Sequence, residues 1–252
     1  MKNKKNVKVC LSPNQFSLYS DEKSIVVIID ILRATTVIST AFKFGVKDIL
    51  PVKSVQEVKL FKNKKNCIVA AERNTLPIKG IKFGNSPFQY ISNNEIIDKT
   101  LVLTTTNGTK AISLAKEHNI VTMSLINIDA VYDFLLNYNS QNVIILCSGW
   151  KNFINLEDTI CAGNLCHKLL STNQFISNCD SSRIAMEIFL KSKNNLFEFL
   201  RDSSYRKRNY SPELVKDSKF CLNPNFYSDI VPFYENGRLV KKVFDFYFFI
   251  LK

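Results

Sequence analysis

The stretch IVVIIDILRATT, residues 25–36, decides the fold class of this chain. Its first five residues are aliphatic without a break, a pattern typical of a strand that is buried on both faces. Asp30 ends the strand, and residues 34–44 are predicted to form a helix that Gly45 terminates. A buried strand followed directly by a helix is the repeating unit of a parallel sheet.

The same alternation recurs along the chain. We predict further strands over residues 48–52, 67–71, 101–104, 121–125 and 143–147, and helices over residues 54–61, 109–117, 130–138, 156–170, 182–190 and 196–201. Residues 75–87 are predicted to be a long loop, with a short helix ending near residue 92. Residues 230–234 and 239–243 flank an Asn-Gly turn and predict a hairpin.

This pattern predicts an α/β fold with one domain over residues 1–252. The architecture is three-layer α/β/α, with helices on both faces of a mostly parallel central sheet that the late hairpin makes mixed. The tail, residues 244–251, is almost wholly apolar, so we expect it to form an edge strand or a contact in a homo-oligomer.

Composition narrows the classes of function. The chain has 252 residues and a net charge of +12, which is consistent with an anionic partner. Its 27 lysines, against 7 arginines and beside 26 asparagines, also fit a compositional bias toward Lys and Asn codons, which would spread charge without a function. No apolar run is long enough to cross a bilayer, and no secretory leader is recognised at the N-terminus. Seven cysteines at irregular spacing argue against a disulfide framework. We therefore expect reduced thiols, a cytoplasmic protein and no membrane partner.

Polar side chains collect where the predicted strands end. Asp30 and Glu72 each follow a strand, as do the hydroxyl-rich turn over residues 104–109 and the Ser148-Gly149 pair. In an open parallel sheet, ligands bind at the carboxyl ends of the strands. We therefore expect a site at this edge of the sheet.

Each of these groups also has a structural interpretation. Asp30 can cap the next helix, or it can bind a metal or face an anion together with Arg33, Thr35 and Thr36. Glu72 and Arg73 can form a surface ion pair. The turn over residues 104–109 lacks the lysine of a P-loop, so nucleotide binding is not supported.

Two further segments could contribute to a site. The loop GIKFGNSP, residues 80–87, contains Asn85 and Ser86 and can be either a simple connection or a phosphate-binding turn. Glu157 and Asp158 open a predicted helix, where acidic side chains favour the helix dipole. Their position after a strand also makes them candidate ligands of a hard cation such as Mg²⁺.

Five motifs in order resemble the 2-phosphosulfolactate phosphatase family of coenzyme M biosynthesis. They are VVIIDILRATT (26–36), AAER (70–73), GIKFGNSP (80–87), TTTNGT (104–109) and LEDTICAG (156–163), with a weaker match over residues 217–237. The resemblance implies an α/β/α fold and Mg²⁺-dependent hydrolysis of (2R)-2-phospho-3-sulfolactate to 3-sulfolactate and phosphate.

The resemblance places the functional residues on the matched motifs. We predict catalytic roles for Asp30, Arg33, Glu72 and Glu157, and a Mg²⁺ site formed by Asp30, Glu72 and Asp158. The predicted substrate-binding residues are Thr35, Thr36, Arg73, Asn85, Ser86, Thr105, Thr106, Asn107, Gly108 and Thr109. Whether Asp30 attacks phosphorus or binds the metal is open at this point.

The chain also departs from the family pattern. Asn74 stands where the family usually has glycine, and Ile81-Lys82 stand where it usually has Phe-Asp. A lysine in place of an acid could admit another small phosphorylated hydroxy acid as substrate.

A second alternative is a protein without enzymatic activity that binds anions or nucleic acid. Its basis is Arg206, Lys207 and Arg208 beside Tyr205 and Tyr210. We favour the phosphatase, with a small phosphorylated substrate and no nucleic-acid partner.

Overall fold

A computed structural model describes residues 4–242 of the chain. This part of the chain forms one mixed sheet. Its strands are β1 (Lys5–Cys10), β2 (Ser24–Ile29), β3 (Asp48–Pro51), β4 (Cys67–Arg73), β5 (Leu76–Pro77), β6 (Thr100–Thr104), β7 (Asn119–Met123), β8 (Asn142–Cys147), β9 (Phe175–Ile176), β10 (Val231–Glu235) and β11 (Arg238–Lys242).

Helices cover the sheet. They are α1 (Phe16–Tyr19), α2 (Ala34–Lys43), α3 (Val55–Lys59), α4 (Gly108–Leu114), α5 (Ile128–Asn137), α6 (Leu156–Leu170), α7 (Asp180–Ser192), α8 (Leu196–Phe199), α9 (Ser204–Arg208) and α10 (Pro212–Cys221). None of the helices formed by residues 4–242 combines the length and apolar character needed to cross a membrane.

The sheet consists of two parallel halves joined by a hairpin. The strand order is β5-β4-β6-β3-β11-β10-β7-β2-β8-β1-β9. The β10–β11 hairpin lies in the middle and pairs antiparallel with β3 on one side and with β7 on the other. Three successive antiparallel pairings reverse the direction, so the β3 half runs opposite to the β7 half in the hydrogen-bonded order.

In a flat sheet this reversal would place the ends of β2 and β6 at opposite edges. The two strand ends nevertheless lie close together. Gly108, just after β6, lies against the Asp30 side chain, just after β2. Strands in a sheet are rotated by roughly 20–25° from one to the next, and five steps separate β6 from β2. The accumulated twist brings the two sets of strand ends together around α2 and α4.

Side chains on the sheet alternate between two cores. On β2, Ile25, Val27 and Ile29 pack into the core shared with α5, α6 and α7. Val26 and Ile28 point the other way, into the core shared with α2 and α4. Burial on both faces explains the unbroken aliphatic run and confirms the α/β fold with a mostly parallel, mixed sheet.

Several predicted elements need correction. The predicted loop over residues 75–87 contains β5, which forms a hairpin with the end of β4. The short helix after it is a single 3-10 turn, Pro87–Gln89. Helices α9 and α10 were not predicted, because their sequences lack a clear apolar period. Strand β1 was not predicted either, although Val7 and Val9 alternate with polar residues along it. The tail over residues 244–251 lies outside the described residues.

Candidate functional site

The turn from β2 to α2 buries Asp30, which is only 7% exposed. Its carboxylate accepts a hydrogen bond from the Ala34 backbone N–H at 3.3 Å, so the capping interpretation is correct. The Asp30 backbone N–H donates to the Thr35 hydroxyl oxygen at 3.1 Å. These bonds hold the carboxylate at the start of α2.

Thr35 and Thr36 are fully buried in this turn. The Thr36 hydroxyl donates to the Ile31 carbonyl at 2.9 Å. Both hydroxyls thus bond to their own turn and shape it. Their predicted contact with substrate stays a prediction.

Helix α4 begins directly against Asp30. A Cβ on Gly108 would lie 2.6 Å from the Ala34 Cβ and 2.9 Å from Asp30 Oδ2, both shorter than an ordinary contact. Thr105 Oγ1 lies 3.3 Å from the same point. Only glycine allows α2 and α4 to approach this closely, so Gly108 belongs to the wall around Asp30.

Gly108→Ala is therefore expected to destabilise the protein by about 1–3 kcal/mol, because the Ala34 Cβ is fixed to the backbone of α2 and cannot move aside. It should also displace the Asp30 carboxylate and lower turnover. Urea unfolding of the variant measures the first effect. Gly84→Ala is the control, since its Cβ would meet the Gln89 side chain at 3.4 Å, close to an ordinary contact. Equal stability of the two variants would contradict this account.

Asp158 joins two turns of the site. Its Oδ1 accepts from the Ile31 backbone N–H at 3.0 Å, and its Oδ2 accepts from the Gly149 N–H at 3.1 Å. The Asn155 side-chain amide also donates to Oδ2, at 3.0 Å. Asp158 thereby fixes the turn after β2 to the turn after β8.

Glu157 lies beside it and is 3% exposed. Its Oε2 is buried and has no hydrogen-bond partner among the described residues. Burial, together with the charge of Asp30 and against the opposing guanidinium of Arg208, raises the pKa of Glu157 to about 7. A carboxyl with a pKa near neutrality suits proton transfer.

The acidic side chains of the site act on one another. Burial, followed by the charges of Asp158 and Glu72, raises the pKa of Asp30 well above its usual range. Burial and the neighbouring Glu157 raise the pKa of Asp158 to about 7. The acids thus lie close enough to repel one another, and perturbed carboxyls gathered in one place are typical of a functional site.

These raised pKa values predict how metal-free stability depends on pH. The folded protein holds protons on Glu157 and Asp158 that the unfolded chain releases at lower pH, so stability falls as pH rises from about 4.5 to about 7. Glu157 alone contributes a loss of about 3 kcal/mol, and Asp158 adds to it. Urea unfolding in EDTA at pH 5 and pH 8 measures it. Glu157→Gln should flatten the dependence, and an unchanged slope would contradict the assignment.

The Glu72 carboxylate connects the other half of the sheet to the site. Its Oε1 accepts from the Thr106 hydroxyl at 2.8 Å and from the Thr75 backbone N–H. The Thr106 hydroxyl oxygen accepts in turn from the Asn74 N–H at 2.9 Å. Arg73 donates to the Thr104 hydroxyl at 2.9 Å rather than to the Glu72 carboxylate, so the predicted Glu72–Arg73 surface ion pair is not formed.

Arg33 forms a buried ion pair that the sequence analysis missed. Its guanidinium donates to the Asp217 carboxylate, whose other oxygen accepts from the Ser86 hydroxyl at 2.7 Å. A second guanidinium nitrogen donates to the Thr75 carbonyl at 3.2 Å, while Nε has no partner among the described residues. Asp217 lies on α10, 184 positions from Arg33 in the sequence, so no local signal indicates this contact.

Two cavities flank the bonds between Glu72 and Thr106. The first, of about 550 Å³, contacts Thr105, Thr106, Thr109 and Arg73, and we call it the basic cavity. The second, of about 370 Å³, contains the acid Glu72, and we call it the Glu72 cavity. The Glu72 cavity is also lined by the ion pair of Arg33 and Asp217 and by the predicted substrate-binding residues Asn85 and Ser86.

Six of the ten predicted substrate-binding residues line one of the two cavities, and Thr35, Thr36, Gly108 and Asn107 line neither. Asn107 lies outside both linings, and its side-chain oxygen accepts from the Lys151 backbone N–H at 3.2 Å.

A sequence profile of the family described as 2-phosphosulpholactate phosphatase matches residues 10–237. The chain is 34% identical over 218 residues to a "Probable 2-phosphosulfolactate phosphatase" of Thermotoga petrophila, covering 86% of this chain and 92% of the relative. It is 35% identical over 238 residues to a protein of the same name in Clostridium tetani, covering 92% and 98%.

This chain belongs to the 2-phosphosulfolactate phosphatase family. Its departures from the family pattern now have structural explanations. Asn74 has a positive φ of 52°, a left-handed conformation that asparagine tolerates better than most residues other than glycine. Lys82 is largely exposed and pairs with Glu95 at the surface, so the structure does not support its expected position beside the site.

The carboxylates of this family member supply donor oxygens suited to a hard divalent cation. Glu157 has a buried oxygen without a partner, and Asp30 has no cation among its hydrogen-bond partners. Within residues 4–242, however, no three His, Cys, Asp or Glu side chains converge as a metal-binding group. Asp158 and Glu72 face backbone N–H and hydroxyl donors instead. The three-carboxylate Mg²⁺ site thus stays a prediction.

Proposed function

We propose that this protein is a Mg²⁺-dependent phosphatase that converts (2R)-2-phospho-3-sulfolactate to 3-sulfolactate and phosphate. Membership of the 2-phosphosulfolactate phosphatase family supports the substrate. One structural observation supports hydrolysis of a phosphate ester. Buried acids with raised pKa values lie together at the meeting point of the two half-sheets, beside a cavity lined by cations and hydroxyls.

The donor chemistry of the acids supports a bound divalent cation, which would neutralise phosphate charge. Asp30 and Glu72 would supply oxygen ligands from the two half-sheets, and both are buried. Asp158 is the third predicted ligand, and it also holds the turns that carry Asp30. This division of roles explains why α2 and α6 both begin at the site.

The residues of this chain perform the remaining tasks. The Arg33 guanidinium and the Ser86 hydroxyl, both fixed by Asp217, lie in the Glu72 cavity and would bind the phosphate oxygens. Glu157 is suited to transfer a proton near neutral pH. Phosphoryl transfer depends mainly on positioning and charge stabilisation, so this set of residues is sufficient without histidine.

The nucleic-acid alternative has little support in the structure. The Arg206 guanidinium lies 3.9 Å from the Phe197 ring centroid, and that of Arg208 lies 4.5 Å from the Trp150 centroid. Of the two tyrosines on which that alternative rests, Tyr205 is buried and Tyr210 alone is exposed, whereas single-strand binding needs several rings free to stack on bases.

The test is release of phosphate by the purified protein with Mg²⁺. We expect turnover of 2-phospho-3-sulfolactate, and slower turnover of 2-phospholactate, which lacks the sulfonate. Equal turnover of several unrelated phosphorylated hydroxy acids would favour the alternative substrate class. A protein that releases no phosphate from any of them, yet binds RNA or DNA in a salt-dependent way, would overturn the proposal.

A further inference from the structure

The basic cavity carries an unbalanced positive charge. Its lining includes Lys53, Arg73 and Lys110, and it includes no acidic residue. Across residues 4–242, none of these three cations forms an ion pair with a carboxylate. Three unneutralised cations around one concave surface favour an anionic ligand.

The hydrogen bonds of these cations leave charge available. Arg73 donates to the carbonyls of Glu72 and Lys53 and to a threonine hydroxyl, all of them uncharged acceptors. The ammonium of Lys110 donates to the neutral side-chain oxygen of Asn152 at 3.2 Å. These bonds orient the cations but do not neutralise their positive charge. By contrast, Lys82 forms an ion pair with Glu95.

The basic cavity differs from the place where the acids lie. The reacting phosphate belongs near the carboxylates and a bound cation, and no carboxylate lines the basic cavity. Thr106 connects the two places, because it lines the basic cavity while its hydroxyl donates to Glu72 at 2.8 Å. A ligand with two neighbouring anionic groups could therefore occupy both.

We propose that Lys53 and Lys110, together with Arg73, form a subsite in the basic cavity that binds the sulfonate of the substrate. This inference rests on the proposed function. Its substrate carries the phosphate ester on C2 and the sulfonate on the neighbouring carbon, C3. Lys53 and Lys110 are specificity-determining residues in this account, since the sulfonate takes no part in the bond cleavage.

The kinetic test compares two substrates in the Lys53→Gln/Lys110→Gln double variant. We expect KM for 2-phospho-3-sulfolactate to rise by roughly 10-fold or more, because the sulfonate loses two cationic hydrogen-bond donors. KM for 2-phospholactate should change less than about 2-fold. Lys82→Gln is the matched control and should leave both values unchanged. A double variant in which KM rises equally for both substrates, or rises for neither, would overturn the subsite.

A binding test separates this inference from the proposed function. Calorimetry with 3-sulfolactate, which has no phosphate, should show binding to the natural chain and weaker binding to the double variant by the same factor. If that holds while no phosphate is ever released, the subsite stands and the proposed function fails. If 3-sulfolactate does not bind the natural chain, or binds both chains equally, the subsite is wrong.

Discussion

Asp30→Asn is expected to abolish phosphate release, with kcat lower by about 10³-fold or more. The carboxylate of Asp30 lies where α2 and α4 begin, within the influence of Asp158 and Glu72. Asparagine keeps the shape of the side chain and the oxygen that accepts from Ala34, but it removes the negative charge. Steady-state release of phosphate at saturating Mg²⁺ measures the effect.

The same substitution should leave the fold intact, because it removes a charge from a group of buried acids that repel one another. The melting temperature of the variant should therefore stay within a few degrees of the natural chain. Asp133→Asn is the control for activity. Asp133 is a half-buried acid on α5 whose pKa is also raised by burial, and it does not line the described cavities. Undiminished turnover in Asp30→Asn would remove Asp30 from the mechanism.

Asp217→Leu is expected to lower the free energy of unfolding by about 3–5 kcal/mol. It leaves the Arg33 guanidinium buried without its carboxylate partner and removes the acceptor of the Ser86 hydroxyl. Urea unfolding monitored by far-UV circular dichroism gives the value. The activity should fall as well, since Arg33 and Ser86 lose their fixed orientation.

The double variant Arg33→Leu/Asp217→Leu tests the cause of that loss. It removes both charges, so it should recover most of the stability while remaining inactive. Asp229→Leu is the exposed control, because Asp229 pairs with Lys43 in solvent and its loss should cost less than about 1 kcal/mol. If the double variant is no more stable than Asp217→Leu alone, the unpaired Arg33 charge is not the cause of the lost stability.

Local signals were sufficient to predict much of this fold from the sequence. Helix α6 has the predicted bounds, Leu156–Leu170, and Asn155 caps it by accepting from the Asp158 N–H. Helix α3 begins after Ser54, whose side chain accepts from the Glu57 N–H and so forms one half of the predicted capping box. The Glu57 carboxylate accepts from the Ser54 hydroxyl rather than from its backbone N–H. Such signals lie within four residues of one another, so they can be identified without knowing the fold.

Features that depend on contacts between residues far apart in the sequence were not predicted. The hairpin was recognised, but its insertion between β3 and β7, with the reversal of the two half-sheets, depends on strands far apart in sequence. The contact of Arg33 with Asp217 joins residues 184 positions apart. The structure places Asp30 within the electrostatic influence of Asp158 and Glu72, and the roles predicted for these three residues stay predictions.

The placement of Arg73 and Glu72 at different cavities follows from their neighbouring positions on β4. No spacing in the sequence indicates that Arg73 lines one cavity while Glu72 lines the other. The two residues are neighbours on β4, where successive side chains point to opposite faces.

Calorimetric titration of the metal-free protein with Mg²⁺, paired with phosphate release in EDTA, tests the central claim most directly. The account predicts saturable binding of Mg²⁺ to the natural chain, loss of that binding in Asp30→Asn, and no turnover in EDTA. Full turnover in EDTA by a protein that binds no Mg²⁺ would contradict it.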